Sequence, residues 1–148
     1  MEVVIFIGLQ ASGKSSFFRE RFFETHVRVN LDMLRTRNRE RILIDACFRA
    51  KQSFVVDNTN LTAEERGKII ALAQEHQFHV IGYYFRSSVS ESLARNAKRE
   101  GKARIPERGI LASHKRLEVP QKSEGFDALY YVQIGPGGFE MKEWDDEV

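Results

Sequence analysis

The sequence predicts an α/β fold with a central, mostly parallel sheet flanked by helices. Three observations lead to this prediction. Apolar runs of strand length alternate with helical segments along the chain. The runs at 3–7 and 53–57 are nearly continuous, as in parallel strands that are buried on both faces. A glycine-rich loop joins the first of these runs directly to a helical segment.

Five strands are expected in the sheet. The first ends at Gly8, and the last is stopped by the run from Gly135 to Gly138, which contains a proline and three glycines. The predicted strands are residues 3–7, 26–30, 53–57, 79–85 and 128–134.

Five helices are expected between and after these strands. Thr62 with Glu65, and Ser88 with Glu91, have the spacing of capping boxes at two helix starts. Pro106 suits the first turn of the last helix. The predicted helices are residues 14–24, 31–51, 62–76, 88–99 and 106–117.

Composition indicates one soluble domain. Apolar residues make up 42 % and charged residues 30 % of the 148 residues, and no apolar run has the length of a membrane span. No signal peptide is recognisable, and the single cysteine, Cys47, is expected to be a buried thiol in a reducing, cytoplasmic setting. We expect a domain at 1–139 and an acidic, weakly ordered tail at 140–148; without the tail the net charge is +6, which suits an anionic ligand.

The loop GLQASGKS, from Gly8 to Ser15, fits the P-loop pattern G-x-x-x-x-G-K-[ST]. Such a loop turns consecutive N–H groups toward one point, and the following helix directs its positive end there. A plain glycine-rich turn is the alternative, but the strand-to-helix junction favours a P-loop NTPase or kinase fold that binds ATP or GTP with Mg²⁺. The expected nucleotide-binding residues in the loop are Gly8, Ala11, Ser12, Gly13, Lys14, Ser15 and Ser16.

A possible acceptor site follows in the stretch NLDMLR. Asp32 lies just after a short predicted strand, where ligands bind in open α/β sheets, and its carboxylate could take the proton of an attacking hydroxyl. Arg35 lies one helical turn further and could bind an acceptor phosphate. The alternative for Asp32 is a helix cap.

Asp57 ends a buried apolar strand, where P-loop proteins carry an acid near the metal. It could hold Mg²⁺ through water, together with Ser15, or it could buttress the P-loop. Whether Asn58 and Asn60 have more than a turn-forming role is left open. GTPase signals of the types N-K-x-D and D-x-x-G are missing from the sequence.

The stretch RNAKREGKARIP is basic and is interrupted by glycine and proline. It predicts a lid that closes over the phosphates, with Arg95 and Arg99 as nucleotide-binding residues and Arg99 supplying charge to the transferred group. The alternative is a solvated helix end whose cations interact with the helix dipole.

Together these blocks resemble the polynucleotide 5′-kinase family, both the bacteriophage type and the kinase domain of the animal end-repair enzyme. Besides the stretches quoted, VDNTNLTAEER and LEVPQKSEGFDALYYV carry the likeness, which runs from Gly8 to about Ile134. The resemblance implies a P-loop kinase that uses ATP and Mg²⁺ to phosphorylate the 5′-hydroxyl end of DNA or RNA. The roles it implies are ATP and Mg²⁺ binding for Lys14 and Ser15, general base for Asp32, acceptor-phosphate binding for Arg35, and lid arginines for Arg95 and Arg99.

Two departures from that family are visible. Leu31 stands where bacteriophage-type enzymes carry arginine, and no D-x-D-G-T motif appears, so we expect a kinase unit without the phosphatase domain that is often fused to it. Two other functions remain open: a P-loop kinase with a small-molecule or tRNA-linked hydroxyl acceptor, and a nucleotide-binding regulatory module. Asp32 argues against the regulatory module, because binding a nucleotide requires no hydroxyl base.

Overall fold

The computed structural model describes residues 1–86 and 88–145 and contains one six-stranded sheet. Its strands are β1 Glu2–Ile7, β2 Val27–Val29, β3 Phe54–Val56, β4 His79–Phe85, β5 Ala128–Gly135 and β6 Gly138–Glu143. The helices are α1 Lys14–Arg21, α2 Leu31–Leu34, α3 Arg37–Ala50, α4 Ala63–Glu75, α5 Val89–Ala97 and α6 Glu107–Arg116. Short 3₁₀ turns lie at Gly101–Ala103 and Lys122–Glu124.

The strand order is β2-β3-β1-β4-β5-β6, and the first five strands run parallel. The central strand β1 pairs with both β3 and β4, and all residues of Val3 to Ile7 have no exposed surface. This confirms the predicted α/β class and the double-sided burial of the first strand.

Each face of the sheet has its own apolar core. On one face, side chains of α3 and α4 pack on β1 and β3 and include Cys47, which is buried as expected. On the other face, phenylalanines of α1 pack on β1 and β4; the rings of Phe6 and Phe17, for example, meet edge to face at 5.7 Å. The two layers bury both faces of the sheet next to the loops at its carboxyl edge.

The strand order brings three loops together. Because β2, β3 and β1 are parallel neighbours, their carboxyl ends meet at one edge of the sheet. The loops are also tied by their backbones: Gly8 N donates to Thr59 O at 3.0 Å, and Asp57 N donates to Val29 O at 2.8 Å. Ligand-binding residues on these three loops therefore share one cleft.

The long helix predicted at 31–51 is wrong, since the structure has two helices there. α2 ends at Arg35, whose φ of 75° costs a non-glycine residue about 1–3 kcal/mol. Thr36 then caps α3 by accepting a hydrogen bond from Arg39 N. The break separates α2, which directly follows the carboxyl end of β2, from α3.

Two expectations about the C-terminal segment are also wrong. β5 is not the last strand of the sheet, and the described part of the acidic tail contains a strand instead of being weakly ordered. Residues 136 and 137 form a two-residue turn, and β6 pairs antiparallel with β5. Phe139 packs on Phe17, with ring centroids 5.1 Å apart, and Trp144 stacks on Tyr131 at 4.4 Å. These apolar side chains anchor the segment although its acids are solvated; residues 146–148 of the tail lie outside the described residues.

The helix starts follow the capping signals. Ser88 and Glu91 form a reciprocal capping box, and Thr62 accepts a hydrogen bond from Glu65 N. Pro106 is the N-cap of α6, so this helix begins at Glu107, one residue later than predicted. Across residues 1–86 and 88–145, no helix has the length and apolarity that a membrane span requires.

Candidate active site

The loop between β1 and α1 has a positive φ at two positions. Gly13 has φ 99° and Ala11 has φ 59°, and α1 begins directly afterwards at Lys14. A Cβ on Gly8 would lie 3.0 Å from Cβ and O of Phe85, so only glycine fits there without displacing β4. Ser12 is buried in the loop, whereas Ser16 is exposed on α1.

Lys14 is buried against its own loop. Its Nζ donates to Gly8 O at 3.1 Å, to Leu9 O at 2.5 Å and to Ser12 Oγ at 3.3 Å. Burial lowers the pKa of Lys14 to about 8, against the attraction of Asp57 and Asp32, while the nearby charge of Arg99 lowers it further. Asp57, Arg99 and Asp32 line the same cleft as Lys14.

Asp57 and Ser15 lie side by side at the start of α1. Ser15 Oγ donates to Asp57 Oδ2 at 3.3 Å, and the Asp57 side chain is only 1 % exposed. Arg28 on β2, which sequence reasoning did not single out, donates through Nε to Asp57 Oδ2 at 2.8 Å and through Nη2 to Ser15 Oγ at 2.9 Å. Asp57 is thus within reach of the P-loop hydroxyl but also carries an ion pair.

Asp32 lies in the first turn of α2 and is exposed in the cleft. It is not the helix cap, because Asn30 is the N-cap and accepts a hydrogen bond from Met33 N. The capping alternative therefore does not explain this carboxylate. Its position in the first turn, close to the charge of Lys14, leaves the side chain available to a ligand.

A polar network fixes the position of α2. Asn58 accepts from Leu31 N at 2.8 Å and donates to Glu40 Oε2 at 2.8 Å, while Asn30 donates to Asp57 O. Glu40 is buried and is also paired with Arg37. The open question about Asn58 is answered here: its side chain ties the start of α2 to the neighbouring helix α3.

Asn60 has a different task. It adopts φ 46°, and its amide donates to Phe6 O at 2.7 Å, deep in the sheet. Its side-chain amide nitrogen therefore holds the loop after β3 against β1, although the residue also lines the cleft.

The predicted lid has an internal support. Asn96 is buried near the end of α5 and exchanges two hydrogen bonds with the backbone of Ile105, which closes the loop 97–104 into a compact unit. Arg95 Nη1 donates to Ala11 O at 3.3 Å, on the P-loop. Arg99 lies beyond the end of α5, lines the cleft and donates to Ala103 O.

The two lid arginines therefore reach different places. Arg95 contacts the rim of the P-loop, and Arg99 directs charge into the cleft, where it acts on Lys14. The helix predicted at 88–99 would place the two arginines one turn apart, but α5 ends at Ala97.

One cleft of about 1640 Å³ joins these groups. Arg35 is exposed on its wall between α2 and α3, near Asp32 in the chain. The residues predicted for the site that line this cleft are Ala11, Gly13, Lys14, Ser15, Asp32, Arg35, Asp57 and Arg99.

Three residues near the site were missed by the sequence reasoning, or left without a role: Arg28, Asn58 and Asn96. Arg28 had one usable signal, since a charged residue between two valines on a short strand points away from the face that the valines pack on. Asn58 and Asn96 form hydrogen bonds with residues that are 9 or more positions away in the chain. Their local sequence does not indicate those contacts.

The donor set suits Mg²⁺. Ser15 offers a hydroxyl and Asp57 a carboxylate, both of which are hard oxygen ligands, and they are adjacent at the phosphate-binding loop. Among the described residues, no group of three or more His, Cys, Asp and Glu is gathered into a metal cluster. A cation at this loop would thus complete its shell with substrate oxygens and water.

Comparison with known proteins agrees with this geometry. Residues 35–120, more than half of the chain, match the family AAA_33, described as an AAA domain. The chain belongs to the AAA_33 family. The matched range contains Arg35, Asp57 and the two arginines predicted for the lid, whereas the P-loop precedes it.

A bifunctional polynucleotide phosphatase/kinase of Schizosaccharomyces pombe is similar to this member of the AAA_33 family. The two are 30 % identical over 131 residues, which is 84 % of this chain and 32 % of that protein. The chain therefore spans about a third of the length of the curated relative that it matches.

Solved structures share the fold. Kti12 of Chaetomium thermophilum, in complex with ADP-AlF3, has a TM-score of 0.66 at 15 % identity and covers 97 % of this chain and 90 % of its own. A gluconokinase from Sinorhizobium meliloti 1021 has a TM-score of 0.61 at 17 % identity, with coverage of 88 % and 82 %. At these identities the likeness is one of fold: the chain has the P-loop kinase fold.

Proposed function

We propose that this chain is an ATP-dependent kinase of 5′-hydroxyl ends of DNA or RNA, with a function in the repair of nucleic-acid ends. The observation that carries the proposal is the meeting of Lys14, Asp32 and Arg99 in one cleft, where Asp32 and Arg99 both act on the charge of Lys14. The similarity to the phosphatase/kinase of S. pombe supports a polynucleotide as the acceptor.

The proposed division of labour follows from the chemistry of each group. The acceptor oxygen attacks the γ-phosphorus, the bond from that phosphorus to the β,γ-bridging oxygen breaks, and ADP leaves. Asp32 takes the proton of the hydroxyl, since it is the exposed carboxylate of the acceptor side. Lys14 and Arg99 stabilise the negative charge that spreads over the transferred group.

Bound Mg²⁺ would neutralise phosphate charge at Ser15 and Asp57. The amide groups at the start of α1 hold the phosphates by their orientation. The polar network of Asn30, Asn58 and Glu40 keeps α2 in place, so that Asp32 meets the hydroxyl at a defined angle.

Arg35 is proposed to select the acceptor. Its guanidinium would bind the phosphate on the 3′ side of the accepting nucleoside, and such a charge-assisted contact is worth about 1.5–3 kcal/mol, or one to two decades in kcat/KM. A bare nucleoside lacks this phosphate and should be a much poorer acceptor.

The test is transfer of labelled γ-phosphate from ATP to a panel of acceptors: 5′-hydroxyl DNA, 5′-hydroxyl RNA, a nucleoside 3′-phosphate, the bare nucleoside and gluconate. We expect the oligonucleotides and the nucleoside 3′-phosphate to be labelled, and Arg35→Ala to lower kcat/KM for these while the bare nucleoside changes little.

Other outcomes select other functions. Preference for the bare nucleoside or for gluconate would replace the proposal by a small-molecule kinase. Binding of ATP without transfer to any acceptor in the panel would favour a regulatory module. Equal labelling of the nucleoside with and without the 3′-phosphate would remove the role proposed for Arg35.

A further inference from the structure

Arg28 binds both of the side chains that are suited to hold Mg²⁺. Its Nε donates to Asp57 Oδ2 at 2.8 Å, and its Nη2 donates to Ser15 Oγ at 2.9 Å. Ser15 Oγ itself donates to the same carboxylate oxygen. One guanidinium fork thus spans the hydroxyl of the P-loop and the acid of β3.

The fold holds this guanidinium in place from two sides. Arg28 lies on the edge strand β2, paired in register with Val55 of β3, next to the strand end that carries Asp57. Its guanidinium carbon is 5.9 Å from the ring centroid of Phe18 on α1, and its side chain is 29 % exposed. An arginine seated between an aromatic ring and a carboxylate loses little further freedom when it forms its hydrogen bonds.

The ion pair also has an energetic reason. The Asp57 side chain is 1 % exposed, and a buried carboxylate is strongly unfavourable unless a cation or hydrogen bonds compensate its charge. Arg28 supplies both kinds of compensation. Mg²⁺ at Ser15 and Asp57 would supply the same compensation, and two cations beside one carboxylate repel each other.

We propose that Arg28 is a resident cation that competes with Mg²⁺ for Ser15 and Asp57, and so sets the Mg²⁺ concentration at which the chain binds nucleotide. Binding of Mg²⁺ displaces at least one of the two Arg28 contacts. This inference rests on the nucleotide-binding half of the proposed function and is independent of the acceptor.

The experiment compares Arg28→Met with Arg21→Met. Arg21 is a matched control, because its guanidinium also lies over a phenylalanine of α1, at 5.4 Å from the Phe17 ring, yet it contacts neither Ser15 nor Asp57 in the structure. Binding of a fluorescent ATP analogue is measured at a series of Mg²⁺ concentrations. Thermal unfolding is recorded in EDTA and with Mg²⁺ alone.

We expect half-maximal nucleotide binding of Arg28→Met at an Mg²⁺ concentration about tenfold lower than in the parent. A tenfold change is the effect expected from removing one charge-assisted hydrogen bond that competes with Mg²⁺. Its Tm in EDTA should fall, and Mg²⁺ alone should restore part of the loss while changing the parent little. Arg21→Met should follow the parent in both readouts. Arg28→Lys keeps the charge without the fork and should give an intermediate Mg²⁺ requirement.

An unchanged or higher Mg²⁺ requirement in Arg28→Met and Arg28→Lys would overturn the competition. If Arg28→Met does not fold in EDTA, the competition is tested by the Mg²⁺ requirement of Arg28→Lys and by whether Mg²⁺ alone restores the fold of Arg28→Met. Failure of the parent to bind the analogue at any Mg²⁺ concentration would instead count against nucleotide binding, and the response of Tm to Mg²⁺ alone would still decide the role of Arg28.

Discussion

The affinity for ATP should fall as the pH rises through about 8, because Lys14 loses its proton there. Burial lowers the pKa of Lys14 from 10.5 to about 8 in the protein without nucleotide. Below that pH the ammonium group is charged and attracts the triphosphate, and above it the neutral amine does not. ATP binding should therefore be measured at a series of pH values from about 6.5 to 9.5.

The size of the change in Kd for ATP follows from the loss of one charged contact, that of Lys14 with the triphosphate. Losing a charge-assisted hydrogen bond costs about 1.5–3 kcal/mol, so Kd should rise by up to about 10- to 100-fold, with a slope of at most tenfold per pH unit above the break. The bound triphosphate raises the pKa of Lys14, so the Kd profile levels off one to two pH units above the break, that is about 9 to 10. Burial raises the pKa of the Cys47 thiol, which moves its titration away from that of Lys14.

The assay is binding of a fluorescent ATP analogue with excess Mg²⁺, for the parent and for Lys14→Met. The variant should bind weakly at every pH and show no break near 8. A parent profile that stays flat from 6.5 to 9.5 would refute the lowered pKa. A break near 8 that persists in Lys14→Met would assign the titration to a different group.

Three further changes have expected outcomes. Asp32→Asn should lower kcat by about 10²- to 10⁴-fold with unchanged ATP affinity, since the amide keeps the volume but cannot take a proton; a loss of affinity without a loss of rate would contradict this. Arg99→Ala should lower kcat by about 10³-fold at saturating ATP, measured by single-turnover transfer, and a parental rate would exclude it from the reaction. Arg66→Met should lower the free energy of unfolding in urea by about 3–5 kcal/mol, because this fully buried arginine pairs with Glu124, whereas Arg116→Met at an exposed pair should cost less than about 1 kcal/mol; equal costs would contradict the burial argument.

Most of the sheet could be predicted because parallel strands leave a strong local pattern. The run 79–85 coincides with β4, and the other predicted strands agree with the structure to within one or two residues. A strand that is buried on both faces must be apolar at successive positions, so its sequence reveals it without knowledge of its partners. The same holds for the P-loop, whose glycines and lysine are required by local backbone geometry.

The errors arose where distant contacts outweigh local preference. The helix predicted at 31–51 is interrupted at Arg35, whose strained backbone is offset by the bonds of Asn30 and Asn58. The acidic segment after Gly138 forms a strand because Phe139 and Trp144 pack on aromatic residues of other elements. In both places the local composition indicated the opposite of what tertiary packing produced.

The fold class and the phosphate-binding loop could be predicted from the sequence alone, which also made Lys14, Asp32 and Asp57 candidates for the site. Each of these depends on residue type at a fixed spacing or at the end of an apolar run, which are properties of a few consecutive residues. The contacts of Arg28 with Ser15 and Asp57 could not be predicted, because the assembled sheet brings together residues that are far apart in the chain. Burial, which lowers the pKa of Lys14, likewise exists only when the sheet and its two layers of helices have assembled around it.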